Sequence, residues 1–269
     1  MIKFFRKIRQ RLLTENKFSK YLIYAIGEIL LVVIGILIAL SINNWNQDRE
    51  NRVLEQYYLQ RIIQDLETDI DEINSVVKRG FGQVSTAVSI LNVMNVNTKE
   101  YINNLNKGSQ NFTLAALEEF PRDTEALKAS GKTFGRAQYG LWAGQEVDIT
   151  FSTFNELLNN GKLDVISNLD IREKIINHYN KILEILDIQE HITESRQNHR
   201  SFLLSQNIPA IHAMNLENFM ESLKDKKGYE TILKNYIWGV SFGTEPFRNI
   251  ISLKTEELIK EIESYLEEL

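Results

Sequence analysis

Four groups of residues in this 269-residue chain have types that could do chemistry, and their spacing decides whether they do. The stretch ALKASGKT, Ala126 to Thr133, approaches a phosphate-binding loop, with Ala126 in place of the first glycine. Such a loop turns backbone N–H groups around phosphate after a buried strand. The residues leading into it, PRDTEALKAS, are charged and helical in pattern, so a chance match is expected. His178, His191, His199 and His212 are metal-ligand types. A helical zinc site wants two ligands at i, i+4 and a third from elsewhere. His191 and His199 stand two turns apart and no HExxH spacing exists, so surface or bundle-lining histidines are expected. Asp65, Asp69 and Glu72 share a helical edge and could collect a divalent cation, but no loop supplies the carbonyl ligands that calcium uses. A solvated helix face is the expectation there. The fourth group centres on Glu28, a carboxylate set inside the apolar stretch YAIGEILLVVIGILIALSINNW, Tyr24 to Trp45.

The element that must position Glu28 is a helix. The apolar run from Tyr21 to Ile42 has 22 residues. At the α-helical rise that is about 33 Å, matching a hydrocarbon core of about 30 Å. A cleaved signal peptide has a shorter apolar core and a small-residue cleavage site. This run is longer and leaves through Ser41, Ile42, Asn43 and Asn44, so a retained span is expected. At 100° per residue, Tyr21, Tyr24, Glu28, Leu31, Gly35, Ile38 and Ile42 form one stripe. Ala39 lies beside it and completes a Gly35-x-x-x-Ala39 pair, the spacing that lets two membrane helices approach. The opposite side carries Val33, Leu37 and Leu40. A carboxylate at membrane depth costs about 2.5–3.5 kcal/mol on insertion scales, so Glu28 is expected to face a polar group of a protein neighbour. Tyr24 is the in-chain choice; Glu28 or Gly35 of a second copy, or a polar group of another membrane protein, are the others.

The flanks orient the span. Lys3, Arg6, Lys7, Arg9, Arg11, Lys17 and Lys20 precede it, against Glu15 alone. Asp48, Arg49, Glu50 and Arg52 nearly cancel just after it. The positive-inside rule puts the N-terminus in the cytoplasm and everything past Asn43 outside. Tyr21, Tyr24 and Trp45 fit as interfacial aromatics. MIKFFRKIRQRLL interleaves Ile2, Phe5, Ile8 and Leu12 with cations, as a short helix on an anionic inner leaflet does. The expected organisation is a basic cytoplasmic segment over 1–20, a transmembrane helix over 21–42 and an exterior helical domain over 43–269. That last part holds 24 of the 31 Lys and Arg and 34 of the 36 Asp and Glu, a formal net of −10. Bulk charge of that sign disfavours nucleic acid and anionic headgroups. There is no cysteine, which removes disulfides, thiolate metal sites and cysteine nucleophiles.

Two blocks carry a resemblance. LLTENKFSKYLIYAIGEILLVVIGILIALSINNWN and, at Phe154 to Asn180, FNELLNNGKLDVISNLDIREKIINHYN resemble the two recurring stretches of a bacterial family of uncharacterised single-pass membrane proteins. The resemblance implies an inner-membrane protein with its bulk in the periplasm. It supplies neither an activity nor catalytic residues.

The exterior part reads as helices. Leu54, Tyr58, Ile62, Leu66, Ile70, Ile73 and Val77 recur three or four apart over Asn46 to Arg79, with Gly80 and Gly82 expected to interrupt that helix. A second stretch covers Val84 to Leu105, residues 106–122 read as loop, a helix spans about Arg122 to Ser130, and a glycine-rich region reaches Asp148. Thr150 to Asn160 is capped by Gly161. Asn168 or Asp170 starts a long helix to about Gln206, with Ile171, Ile175, Tyr179, Ile182, Leu186 and Ile192 inward. Pro209 breaks the chain, short helices lie at Leu216–Lys224 and Tyr229–Val240, and Pro246 opens a last helix over Phe247 to Leu269. The sum is an all-α antiparallel bundle. With no catalytic, metal or cofactor residue expected, three roles fit: a scaffold that self-assembles through its span, an ion-coupled accessory subunit using Glu28, and a sensor of a periplasmic ligand.

Overall fold

A computed structural model describes residues 18–129, 131–142, 144, 147–208 and 214–269. The described residues are helical apart from short connections. The chain divides into two compact units, Met1–Tyr57 and Tyr58–Leu269.

In the first unit the described chain is one helix. This helix, α1, runs Phe18–Val93 and continues into the second unit. It is long and apolar enough to cross a membrane. Its described large aliphatic side chains between Leu22 and Ile42 are 46 to 72% exposed.

In the second unit the expected interruption of α1 at Gly80 and Gly82 does not occur. The glycines serve close packing instead. A Cβ on Gly80 would sit 3.1 Å from Thr244 Cγ2 and 3.2 Å from Phe112 Cζ. Past the end of the helix, Asn95 has a left-handed φ of 58°. Val96 N–H then bonds Leu91 O and Asn95 N–H bonds Asn92 O, the paired closure of a Schellman motif. Gly161, at φ 61°, and Asn207, at φ 58°, end two later helices with the same bond pair.

Helix α2 spans Thr98–Asn103 and α3 spans Lys107–Glu119. The latter replaces the loop expected over 106–122. Asn106 caps it by accepting from Ser109 N–H at 2.9 Å. Ser109, Phe112, Thr113 and Ala116 form its buried face. That face has helical spacing but only one large apolar residue, which hid it. Helix α4 is Thr124–Ala129 and α5 is Gly131–Trp142, so the first part of the glycine-rich region is also helical. Phe134, Gln138 and Leu141 are fully buried on one helical face despite three glycines.

Helix α6, Ser152–Asn159, is followed by a 3₁₀ turn at Leu163–Val165. Helix α7, Leu169–Ser205, starts at Asn168, which accepts from the N–H groups of Asp170 and Ile171. Ile185 rather than Leu186 completes its buried stripe. Pro209 lies outside the described residues. Helices α8, Leu216–Ser222, and α9, Lys226–Pro246, follow. Pro246 ends α9 instead of opening a new helix. A π-helical turn, Phe247–Ser252, leads straight into α10, Leu253–Glu268. Proline has no N–H for the ladder, and a wider turn is one way a helix absorbs that loss.

Helices α7 and α9 form the central pair, with α3 packed on α9 and with α5 and α10 on α7. Two glycines let them meet. A Cβ on Gly239 would overlap Ser195 Oγ and reach 3.1 Å from His191 O. One on Gly243 would overlap Ile192, with Cδ1 at 2.9 Å. Their i, i+4 spacing puts both on one face of α9.

Candidate functional site

The residues expected on the helix-facing stripe of the span fall in α1. Glu28 is half-buried, and Gly35 and Ala39 are exposed. A Cβ on Gly35 would meet nothing within 4 Å. Trp45 is 62% exposed. The side chains of Lys20, Tyr21 and Tyr24 lie outside the described residues, as do Lys3, Arg6, Lys7, Arg9, Arg11 and Lys17 altogether.

The acidic set on α1 is not a solvated face. Asp69 is buried and accepts from Thr150 N–H at 2.8 Å. Asp65 accepts from Thr153 N–H at 3.1 Å and from Ser152 Oγ at 3.3 Å. Phe151, at the N-cap position of α6, has no side-chain acceptor to offer. The carboxylate of Asp65 therefore caps α6 from another helix, where an anion also complements the helix dipole. Burial pushes the Asp69 carboxyl up to about 6, against the bonds from Thr150 that lower it; Asp65 and Asp148 add to the rise. Beside this pair, Glu156 on α6 accepts from Arg61 Nη1 at 2.6 Å and from Tyr58 OH at 2.9 Å. Those bonds, Arg61 first, hold its carboxyl below the usual range. The acids of α1 thus fasten α6, and no group of three or more His, Cys, Asp or Glu among the described residues is placed to hold a metal.

The histidines line the bundle. His191 packs edge-on against Trp238 and Phe242, with ring centroids 5.8 and 5.4 Å away. His199 is fully buried between Tyr229 and Tyr236, and its Nε2 lies 3.3 Å from Tyr229 OH. Burial lowers both His199 and His178 to about 4, so each is neutral at pH 7. His212 lies outside the described residues. ALKASGKT falls on α4 and the start of α5. Helix α4 stands where a phosphate loop needs a strand, and the resemblance to that loop ends there.

Charged side chains gather elsewhere, around a cavity of about 690 Å³ walled by α1, the Phe120–Asp123 connection, α4 and α5. Lys78 and Arg79 enter from α1, Arg122 from the connection and Arg136 from α5. Among the described residues, Asp123 is the one carboxylate in the wall. Its Oδ1 accepts from Glu125 N–H at 3.0 Å and Ala126 N–H at 3.1 Å, which starts α4. Arg79 donates to Ser75 Oγ at 2.8 Å and approaches Glu72 at 3.6 Å. Arg122 donates to Gly82 O at 3.4 Å. The floor is fixed by Gln83. Its Nε2 donates to Gly140 O of α5 at 2.8 Å, and its Oε1 accepts from Arg196 Nη2 of α7 at 3.3 Å. Phe120, Pro121 and Leu127 supply apolar wall. None of these cations was singled out by sequence reasoning. They are spread from 78 to 136 over separate elements and make no local motif.

No curated protein and no solved structure matches the chain. Residues 28–129, from within the first quoted block to the end of α4 and short of the second block, are similar to a family of unknown function, DUF6090.

Proposed function

We propose that this chain is a single-pass membrane protein whose span associates with a second copy of itself, and whose helical unit serves as an interaction module in the bacterial periplasm. The supporting observation is the exposed aliphatic surface of α1 between Leu22 and Ile42. Burying one such side chain is worth about 1.5–3 kcal/mol, and a soluble monomer does not leave a continuous run of them in water. A bilayer covers a run of this length, and the excess of cations before it orients the N-terminus to the cytoplasm. Self-association is favoured by the stripe holding Glu28 and Gly35 with Ala39 beside it, where a neighbouring helix has room to approach. No enzymatic step, metal or cofactor enters this reading.

The test is the oligomeric state of the full chain in a neutral detergent, read by light scattering. The wild type is expected above monomer mass, and Gly35→Leu is expected to lower that order by filling the helix–helix contact. A wild-type monomer would overturn the self-assembly reading.

A further inference from the structure

We propose that the cavity between α1, α4 and α5 is a binding site for a small organic anion, a phosphate or carboxylate group carried on an apolar body. It goes beyond the proposed membrane role and stands independently of it.

Charge carries the inference first. Residues 43–269 have a formal net of −10, yet among the described residues this wall gathers four cations against one carboxylate. Asp123 is committed to capping α4 through its bonds to Glu125 and Ala126. Arg79 is partly matched by Glu72. Lys78 and Arg136 have no carboxylate within ion-pair distance among the described residues. Unpaired like charges held around one cavity repel each other, and an anion between them relieves that repulsion.

Geometry carries it further. Guanidinium groups present flat forks of N–H donors that fit two oxygens of a phosphate or carboxylate at once. Thr133, in the first turn of α5, belongs to the same wall, so the positive end of that helix adds to the field. The volume lies within the range of small-molecule sites. Phe120, Pro121 and Leu127 give an apolar body something to lie against, which bare inorganic phosphate would not use. The floor is held from two sides, since Gln83 is tied to α5 and to Arg196 of α7. A second cavity of about 620 Å³ between α7 and α10 offers a contrast. There Lys174, Lys181 and Lys254 stand with Glu257 and Glu261, and Lys174 is already paired with Glu261 at 3.0 Å.

The test uses the full chain in phosphatidylcholine nanodiscs, titrated calorimetrically with phenyl phosphate and with inorganic phosphate. Saturable binding is expected, tighter for phenyl phosphate and weakening as sodium chloride is raised. The double variant Lys78→Gln, Arg136→Gln is expected to bind phenyl phosphate at least about tenfold more weakly, because charged hydrogen bonds are lost. Both side chains are exposed, so its circular dichroism and melting temperature should match the wild type. Lys181→Gln, Lys254→Gln, in the other cavity, is expected to bind like the wild type. The proposal is overturned if neither probe binds saturably at millimolar concentration, or if the first double variant binds as tightly as the wild type. Loss of binding in the second double variant instead would also overturn it.

Discussion

Replacing Asp69 by Asn should change how stability depends on pH, and the sign follows from where the carboxylate sits. Asp69 is 1% exposed. Its Oδ1 holds Thr150 N–H, while Oδ2 is buried with no hydrogen-bond partner among the described residues. Burial raises its pKa from 3.8 to about 6. The folded state therefore holds a proton that the unfolded chain releases between those values. Stability from this group is fully present below pH 3.8 and is lost as pH rises through about 6. Two pKa units correspond to about 3 kcal/mol. Asn keeps an oxygen for Thr150 and does not titrate. Urea unfolding of the full chain in neutral detergent, followed by circular dichroism from pH 3.5 to 7.5, gives both stabilities. The difference, wild type minus Asp69→Asn, should fall by about 2–3 kcal/mol on going from the acid to the neutral end. Subtraction removes the opposite trend of His178 and His199. Their lowered pKa values mean that stability falls as pH drops from 6.5 toward 4 in both proteins. A pH-independent difference, or one that rises toward neutral pH, would refute the burial argument.

Two glycines in helix interiors should respond oppositely to alanine. Gly239→Ala drives a methyl into Ser195 of α7 and should cost about 1–3 kcal/mol by overpacking, despite the better helix propensity of alanine. Gly140→Ala in α5 meets nothing within 4 Å and should stabilise by up to about 1 kcal/mol; equal effects at the two sites in urea unfolding would contradict the packing described.

What could be read from the residues depended on whether the signal was local. The long α7 was legible because Asn168 caps it and isoleucines repeat along one side at helical spacing. The turn after α6 was legible because Gly161 takes the left-handed conformation. Helices α3 and α5 were not, since their buried faces use Ser109, Thr113, Ala116 and Gln138, which carry little hydropathy. Gly80 read as a breaker because its partners, Phe112 and Thr244, are remote in sequence. The same remoteness hid the task of Asp65 and Asp69, whose partners on and before α6 lie more than 80 positions away. Pro246 read as a helix start because nothing local announces a π-helical turn after it. The cationic cavity was illegible for a related reason: each arginine in it is unremarkable on its own segment. Glu28 and Gly35 were legible as a pattern in the apolar run. The neighbour they are proposed to face is a second chain, which one sequence does not display.

The central claim, one crossing of a membrane with the helical unit outside, is tested most directly by cysteine labelling, for which a chain without native cysteine is well suited. Asn16→Cys and Asn180→Cys lie on opposite sides of the proposed span. In spheroplasts treated with a membrane-impermeant maleimide, Asn180→Cys should be labelled directly and Asn16→Cys only after the membrane is opened. Labelling of Asn16→Cys in intact spheroplasts, or recovery of the chain in the soluble fraction, would contradict the account.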